Sequence, residues 1–296
     1  MQPAVAHGLC ILCLLVDGAA RAGRLQVLVR APGGSIGFLD ALWANLVEDA
    51  AAALTPMRLG GVPARAVILS RAGVSTGTIV LATVAEGVVM YPLLLGTGAW
   101  IALSYAPGWW REVAPKVAQS AVSTGRWLFP AIALSALAGW LLWRYLPRYR
   151  LPEGPGPIHG WRDVRRAGAP ALGWSVALTL ASLAARLAIL PLLTRTVASP
   201  PALGAVTFSS FTLLYGQVLL PTPSGAGAVE LGFLSGGAGI VGAAATRLLL
   251  AWRFYTALVP VAAIVPLGVM HTVRALAGLT ARLRSPAASL NRGDPT

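Results

Sequence analysis

The chain has 296 residues, 56% of them apolar and 11% charged, against roughly 25% charged in soluble domains. Its apolar runs are long and continuous, which excludes an ordinary water-soluble core and also the alternating segments of about ten residues that build a transmembrane β-barrel. The net charge of +13 comes from 23 Lys and Arg against 10 Asp and Glu, and 22 of those 23 are Arg; because they sit mostly between apolar runs, they read as loops held against an anionic leaflet, with no nucleic acid as partner.

Residues 8–16 are apolar but short for a span of roughly 20 residues. Nothing near them resembles a basic n-region or a small-residue cleavage site. They predict a tilted or partial helix, or a chain that begins one helix late. Cys10 and Cys13 form a CxxC inside this run. Without a second pair or a polar setting they read as small apolar helix residues, and neither zinc nor redox chemistry is expected. After Arg21, Arg24 and Arg30 comes an apolar run over 36–54 that carries Asp40, Glu48 and Asp49. Glu48 and Asp49 are expected to end it near the headgroups.

Thr55-Pro-Met-Arg-Leu-Gly-Gly-Val-Pro-Ala-Arg65 then breaks the pattern, followed by a short apolar piece to Ser70. Thr76–Tyr105 is long enough to span with tilt, and holds Glu86 and Pro92. A loop with Trp109, Trp110, Arg111, Lys116 and Arg126 leads into Trp127–Leu146, whose tryptophans fit interfacial anchors. Val74-Ser-Thr-Gly77 and Val122-Ser-Thr-Gly125 each precede an apolar run, where Ser or Thr caps a helix N-terminus.

Residues 147–170 form the clearest extramembrane connection, with five prolines and the arginines 148, 150, 162, 165 and 166. Further spans are expected at Ala171–Leu193, Leu203–Leu220 and Leu248–Met270, with a glycine-rich stretch over 226–245 between the last two. The tail after 275 is polar and basic. The loop and the tail are both basic and both belong in the cytoplasm, so an even number of crossings must separate them. Four result if 226–245 crosses as its own helix; a re-entrant hairpin there would overturn one of the two assignments. Residues 1–275 read as a single transmembrane domain and 276–296 as a flexible basic tail. The fold class is all-α: a polytopic helical membrane bundle of about 6–8 spans, with Pro/Gly-broken, re-entrant elements in both halves.

Leu54-Thr-Pro-Met-Arg-Leu-Gly-Gly61 and Leu220-Pro-Thr-Pro-Ser-Gly-Ala-Gly227 are the two broken elements. Paired Gly/Pro-interrupted segments in corresponding positions point to a transporter's binding site, where half-helix ends face each other. Helix N-termini there offer unpaired N–H groups and a partial positive charge to an anion, and Arg58 and Arg65 add bidentate, charge-assisted contacts to a phosphate. The plainer reading is two interfacial turns with snorkelling arginines. Glu86, Arg186, Glu230, Arg247 and Arg253 fall at membrane depth, where each unpaired charge costs about 2.5–3.5 kcal/mol. Partners are therefore required. Glu230 with Arg253 is the preferred pair and Glu230 with Arg247 the alternative.

These blocks, together with Arg71-Ala-Gly-Val-Ser75 and Trp252-Arg253-Phe254, resemble the lysylphosphatidylglycerol synthase transmembrane (flippase-like) family over about residues 20 to 275. The resemblance implies a bundle with re-entrant elements that moves or holds polar lipids in bacterial membranes. It matches Glu230 and Arg253 to the family's buried acidic and basic residues, and Arg58 and Arg65 to its first-half motif. The chain departs from the family in having Ser224-Gly225 for Gly-Gly and Glu86-Gly87 for Glu-Arg, and its first helix looks missing or shortened. The soluble aminoacyl-transferase domain of the full synthases is not expected after residue 275.

The expected function is a lipid translocase or lipid-binding transporter in a bacterial-type cytoplasmic membrane, handling a phospholipid or polyprenyl-type lipid. Its binding residues would be Arg58, Arg65, Pro221, Pro223, Gly225, Gly227, Glu230 and Arg253. Glu86 and Glu230 would serve as proton carriers, since burial favours the protonated carboxyl unless an arginine is adjacent. No Gly-x-x-x-x-Gly-Lys-Ser/Thr occurs, so transport would not run on an ATPase of its own. Neither cofactor nor metal is called for. A membrane transferase acting on a lipid-linked phosphate is the alternative, although His7, His159 and His271 are scattered and supply no general base near an acceptor. A membrane subunit that docks a separate soluble enzyme through the 147–170 loop is the third reading.

Overall fold

The computed structural model describes residues 1–55, 58–105, 160–216, 228–234, 242–264, 266 and 268–269, with the backbone alone for 160–169 and 228–229. Among these residues the fold is all-α, with no strand. Helix α1 (Pro3–Arg30), α2 (Phe38–Leu54), α3 (Gly61–Arg71) and α4 (Thr76–Tyr105) make the first half. Helix α5 (Gly160–Thr194), α6 (Leu203–Tyr215), α7 (Ala228–Gly232) and α8 (Gly242–Arg253) make the second. A π-helical turn, Phe254–Leu258, carries α8 onward, so that Gly242–Ile264 forms one apolar helix. Among the described residues, four helices are long and apolar enough to cross a membrane: α1, α4, the Pro170–Thr194 part of α5, and Gly242–Ile264.

The apolar run 8–16 is not a partial helix. Asp17, Arg21 and Arg24 continue the helix, which runs 28 residues from Pro3 to Arg30, about 42 Å at 1.5 Å per residue. The three charges stand at i, i+4 and i+7, so they share one face and leave the others apolar. Val5, Ile11, Leu12 and Leu15 are exposed as lipid-facing side chains would be. On α4 the exposed Val80, Val84, Val88, Tyr91 and Leu95 trace a stripe of the same kind. Ser75 caps α4 through its hydroxyl, which accepts the N–H of Thr78 at 3.3 Å. Gly73, at φ +84°, closes the end of α3 in a conformation that glycine adopts without strain. The cap expected at 122–125, the span 127–146 and the tail lie outside the described residues.

Helices α2 and α3 are a hairpin that enters and leaves the bundle at the same end. The turn after α1 and the turn before α4 lie side by side, with Gly34 against Thr78, so α2 starts and α3 finishes beside each other. At 17 and 11 residues, roughly 26 and 17 Å, the pair makes the re-entrant element expected of the first half. Its tip is built around Thr55. Thr55 Oγ1 donates to the carbonyl of Ala51 at 2.9 Å and accepts the N–H of Gly60 at 2.9 Å. Gly61 then lets α3 close on α2, because a Cβ there would lie 3.0 Å from the Glu48 carbonyl and 3.1 Å from Ala52 Cβ.

Helix α5 runs antiparallel to α1, from Arg24 beside Thr179 to Cys10 beside Ile189. Within the connection read over 147–170, residues 160–169 are helical and lead into the candidate span that starts at Pro170. Arg30, Arg71 and the 162–166 arginines thus belong to one end of the bundle, whereas Tyr105 meets Gly204 at the other. In the 226–245 stretch, α7 is five residues long and residues 242–245 already belong to α8, which starts at a Gly242 of φ +69°; one helix does not run through its C-terminal part. Two apolar cores result. One joins Ala22, Leu25 and Val29 of α1 to Ala41, Ala44, Leu69 and Ile79. The other joins Cys10 to Ile189, Leu190, Leu213, Leu249 and Trp252. The charged face of α1 lies between them.

Candidate functional site: a shared ion cluster and a second pair

Five arginines and four carboxylates meet where α1, the α2–α3 hairpin, α4 and α5 converge. Arg24 of α1 pairs with Glu86 of α4 and donates to Thr179 Oγ1 at 3.1 Å. Arg65 of α3 reaches Glu86 at 2.6 Å and Glu48 at 3.0 Å. Arg21 grips Asp49 with both of its terminal nitrogens and lies 3.7 Å from Glu48. Arg186 of α5 donates through Nε to Asp17 at 2.8 Å and lies 3.3 Å from Asp49. Ser182 adds a hydroxyl to Asp17 at 2.5 Å. Arg58, at the hairpin tip, lies 3.5 Å from Asp49.

Charges buried like this are tolerable only when paired and hydrogen-bonded. Here three of the four carboxylates serve more than one arginine: Glu48 serves Arg21 and Arg65, Glu86 serves Arg24 and Arg65, and Asp49 serves Arg21, Arg58 and Arg186. Among the described residues the cluster holds one more arginine than carboxylates. It sits well inside the helices: Asp17 is 14 residues from the start of α1, about 21 Å along the axis.

Glu230 of α7 forms an ion pair with Arg253 of α8, the preferred partner from the sequence. Arg247, the alternative, bonds instead to the Ala243 carbonyl of its own helix and is exposed. Arg253 also stacks on Trp252, with its guanidinium carbon 5.3 Å from the ring centroid. Gly268, farther along, lies against Trp43 of α2.

Of the residues expected to bind ligand, Arg58, Arg65, Glu230 and Arg253 are described; Pro221, Pro223, Gly225 and Gly227 lie outside the described residues. Arg65 is almost wholly buried between two carboxylates. Both candidate proton carriers, Glu86 and Glu230, have arginine partners. Glu48 and Asp49 do not end α2 among headgroups as expected: they face α1 and α3, and Asp49 holds three arginines. Asp17, Ser182 and Thr179 were not read as part of any site, and Arg21 and Arg24 were read as flanking a span. The 17, 21, 24 spacing was the available signal, since a charged stripe on an apolar helix needs a partner stripe.

A lipid-facing all-α bundle with a shared ion cluster at membrane depth defines a multi-pass membrane protein. The lysylphosphatidylglycerol synthase TM region is the family whose model matches residues 3–264, and the chain belongs to this family. That membership ties it to the handling of membrane lipids. Comparison with the curated proteins and with the solved structures gives no match.

Proposed function

We propose that the chain is a lipid translocase or lipid-binding transporter of a bacterial-type cytoplasmic membrane. An anionic or zwitterionic headgroup is held at the hairpin tip while its acyl chains stay in the bilayer. The observation that carries this reading is a partly exposed arginine in each half: Arg58, 3.5 Å from Asp49 at the hairpin tip, and Arg253, paired with Glu230 in the second half. A structural ion pair would need neither the extra arginine nor the half-open guanidinium groups, whereas a headgroup site needs both. The positive-inside rule assigns the Arg30/Arg71 end to the cytoplasm, so the hairpin enters from that leaflet.

Reconstitution into liposomes with a fluorescent phospholipid tests the reading. The wild type should exchange the label between leaflets, and Glu230→Gln and Arg253→Ala should each slow it about tenfold or more, the range in which losing a charged contact falls. Equal rates for all three proteins and for empty vesicles would refute it.

A further inference from the structure

We propose that the α2–α3 hairpin swings about its base at the Arg30/Arg71 end, and that the ion pairs nearer its tip hold one of two positions. This rests on the translocase reading above and names the moving part of that site. The base is anchored by apolar packing. Ile36, Leu69, Val74 and Ile79 are buried in one core with Leu28 and Val29 of α1, and Gly34 lies against Thr78. Farther from the base the packing changes in kind. The buried residues of α2 are Ala41, Ala44, Asn45 and Ala52, and Leu42 rests against Gly18, which has no side chain to interlock with it. Ion pairs tie this part of the hairpin to its neighbours: Asp49 to Arg21 and Arg186, Glu48 to Arg21, and Arg65 to Glu86. A buried ion pair gains little over the same charges in water, so it can open to water where interlocked apolar side chains cannot.

Asn45 shows what the seated position costs. It is only 3% exposed, and its Nδ2 has no hydrogen-bond partner. An unpaired buried amide N–H carries the full desolvation penalty of that group, and a structure that keeps one calls for a reason. Asn45 stands three and four residues before Glu48 and Asp49, so it shares their side of α2. Movement of the tip away from α1 lets water reach the amide and the carboxylates together, and the penalty is then absent from the swung position. Ser175 on α5 and Trp252 on α8 also hold buried polar atoms without a partner, but their helices are seated differently. Helix α5 stays against α1 from Thr179 to Ile189, and Trp252 is wedged among Ile189, Leu190 and Leu249. They belong to the frame against which the hairpin moves.

Double electron–electron resonance on the full chain in liposomes, with Cys10→Ala and Cys13→Ala as background, tests the swing. Spin labels at Leu54→Cys near the tip and Leu103→Cys on α4 should give two distances. Labels at Phe38→Cys on the base and Leu103→Cys should give one; all three positions are exposed. Asn45→Ala removes the orphaned amide, which should raise the seated population about tenfold and slow lipid exchange by a similar factor. Ser175→Ala removes an orphan from the frame and should change neither. A single tip distance overturns the inference, and two distances at the base overturn the pivot. A population ratio in Asn45→Ala equal to that of the background, or matched by Ser175→Ala, also overturns it. A shifted ratio with unaltered lipid exchange overturns the link to transport. If lipid moves while the tip shows one distance, this inference fails and the translocase reading stands. If Asn45→Ala shifts two tip distances but neither protein moves lipid, the translocase reading fails and the swinging hairpin stands.

Discussion

Replacing Glu86 with glutamine takes one carboxylate from two arginines. Arg24, with a side chain only 7% exposed, loses its one carboxylate partner among the described residues and keeps the Thr179 hydroxyl. Arg65 keeps Glu48 at 3.0 Å and Thr83 at 3.4 Å, so most of the penalty falls on Arg24. Breaking a buried pair by removing one partner costs about 3–5 kcal/mol. The glutamine carbonyl still accepts a hydrogen bond, which places Glu86→Gln near the lower end, about 3 kcal/mol or roughly a hundredfold in the folding equilibrium. Equilibrium unfolding in mixed dodecyl maltoside and dodecyl sulfate micelles, followed by the fluorescence of the ten tryptophans, measures it. The discriminating variant is Glu86→Gln with Arg24→Met. The orphaned charge is then gone, and apolar replacement of a buried pair is often neutral or stabilising, so the double variant should recover most of the loss. A double variant less stable than the single one would refute the view that Arg24 is buried at the expense of Glu86.

Gly61→Ala should wedge α3 away from α2, because the new methyl falls 3.0 Å from a backbone carbonyl that cannot step aside; a loss of about 1–3 kcal/mol is expected in the same unfolding assay. Among the two cysteines, Cys13 is half-buried and Cys10 is fully buried against Ile189, so N-ethylmaleimide should modify Cys13 first in the folded protein, as peptide mass spectrometry will show.

The parts of the fold that depend on local pattern were legible in the sequence. Thr76–Tyr105 is a long apolar run with a single charge, Glu86, and is found as α4 with the bounds read from the chain, and Ser75 caps it as its place before the run suggests. Glu230 and Arg253 could be paired because the choice lay between two arginines of one following helix. The ion cluster was not legible, because its bonds are distant in sequence. Asp17 finds Arg186 across 169 positions, and hydropathy counts each of them as a reason to end a span. For the same reason Glu48 and Asp49 looked like the end of a span near the headgroups: their partners come from α1, α3 and α5, which no window along α2 contains. In the second half, Pro/Gly spacing announced a break without revealing how the chain continues past it, and α8 begins at Gly242, inside the stretch that the sequence left open between a crossing and a hairpin.

The sharing of carboxylates between helices also sets an order for assembly. Arg21 and Arg24 can be neutralised by Glu48, Asp49 and Glu86 as soon as the hairpin and α4 have been made. Asp17 cannot, since its arginine lies 169 residues downstream, roughly 10 to 30 s of synthesis. During that interval α1 carries a carboxylate that lipid does not accommodate, and it is expected to linger against the insertion machinery until α5 emerges. Helix α1 would then be released into the bilayer only after helices made later than itself.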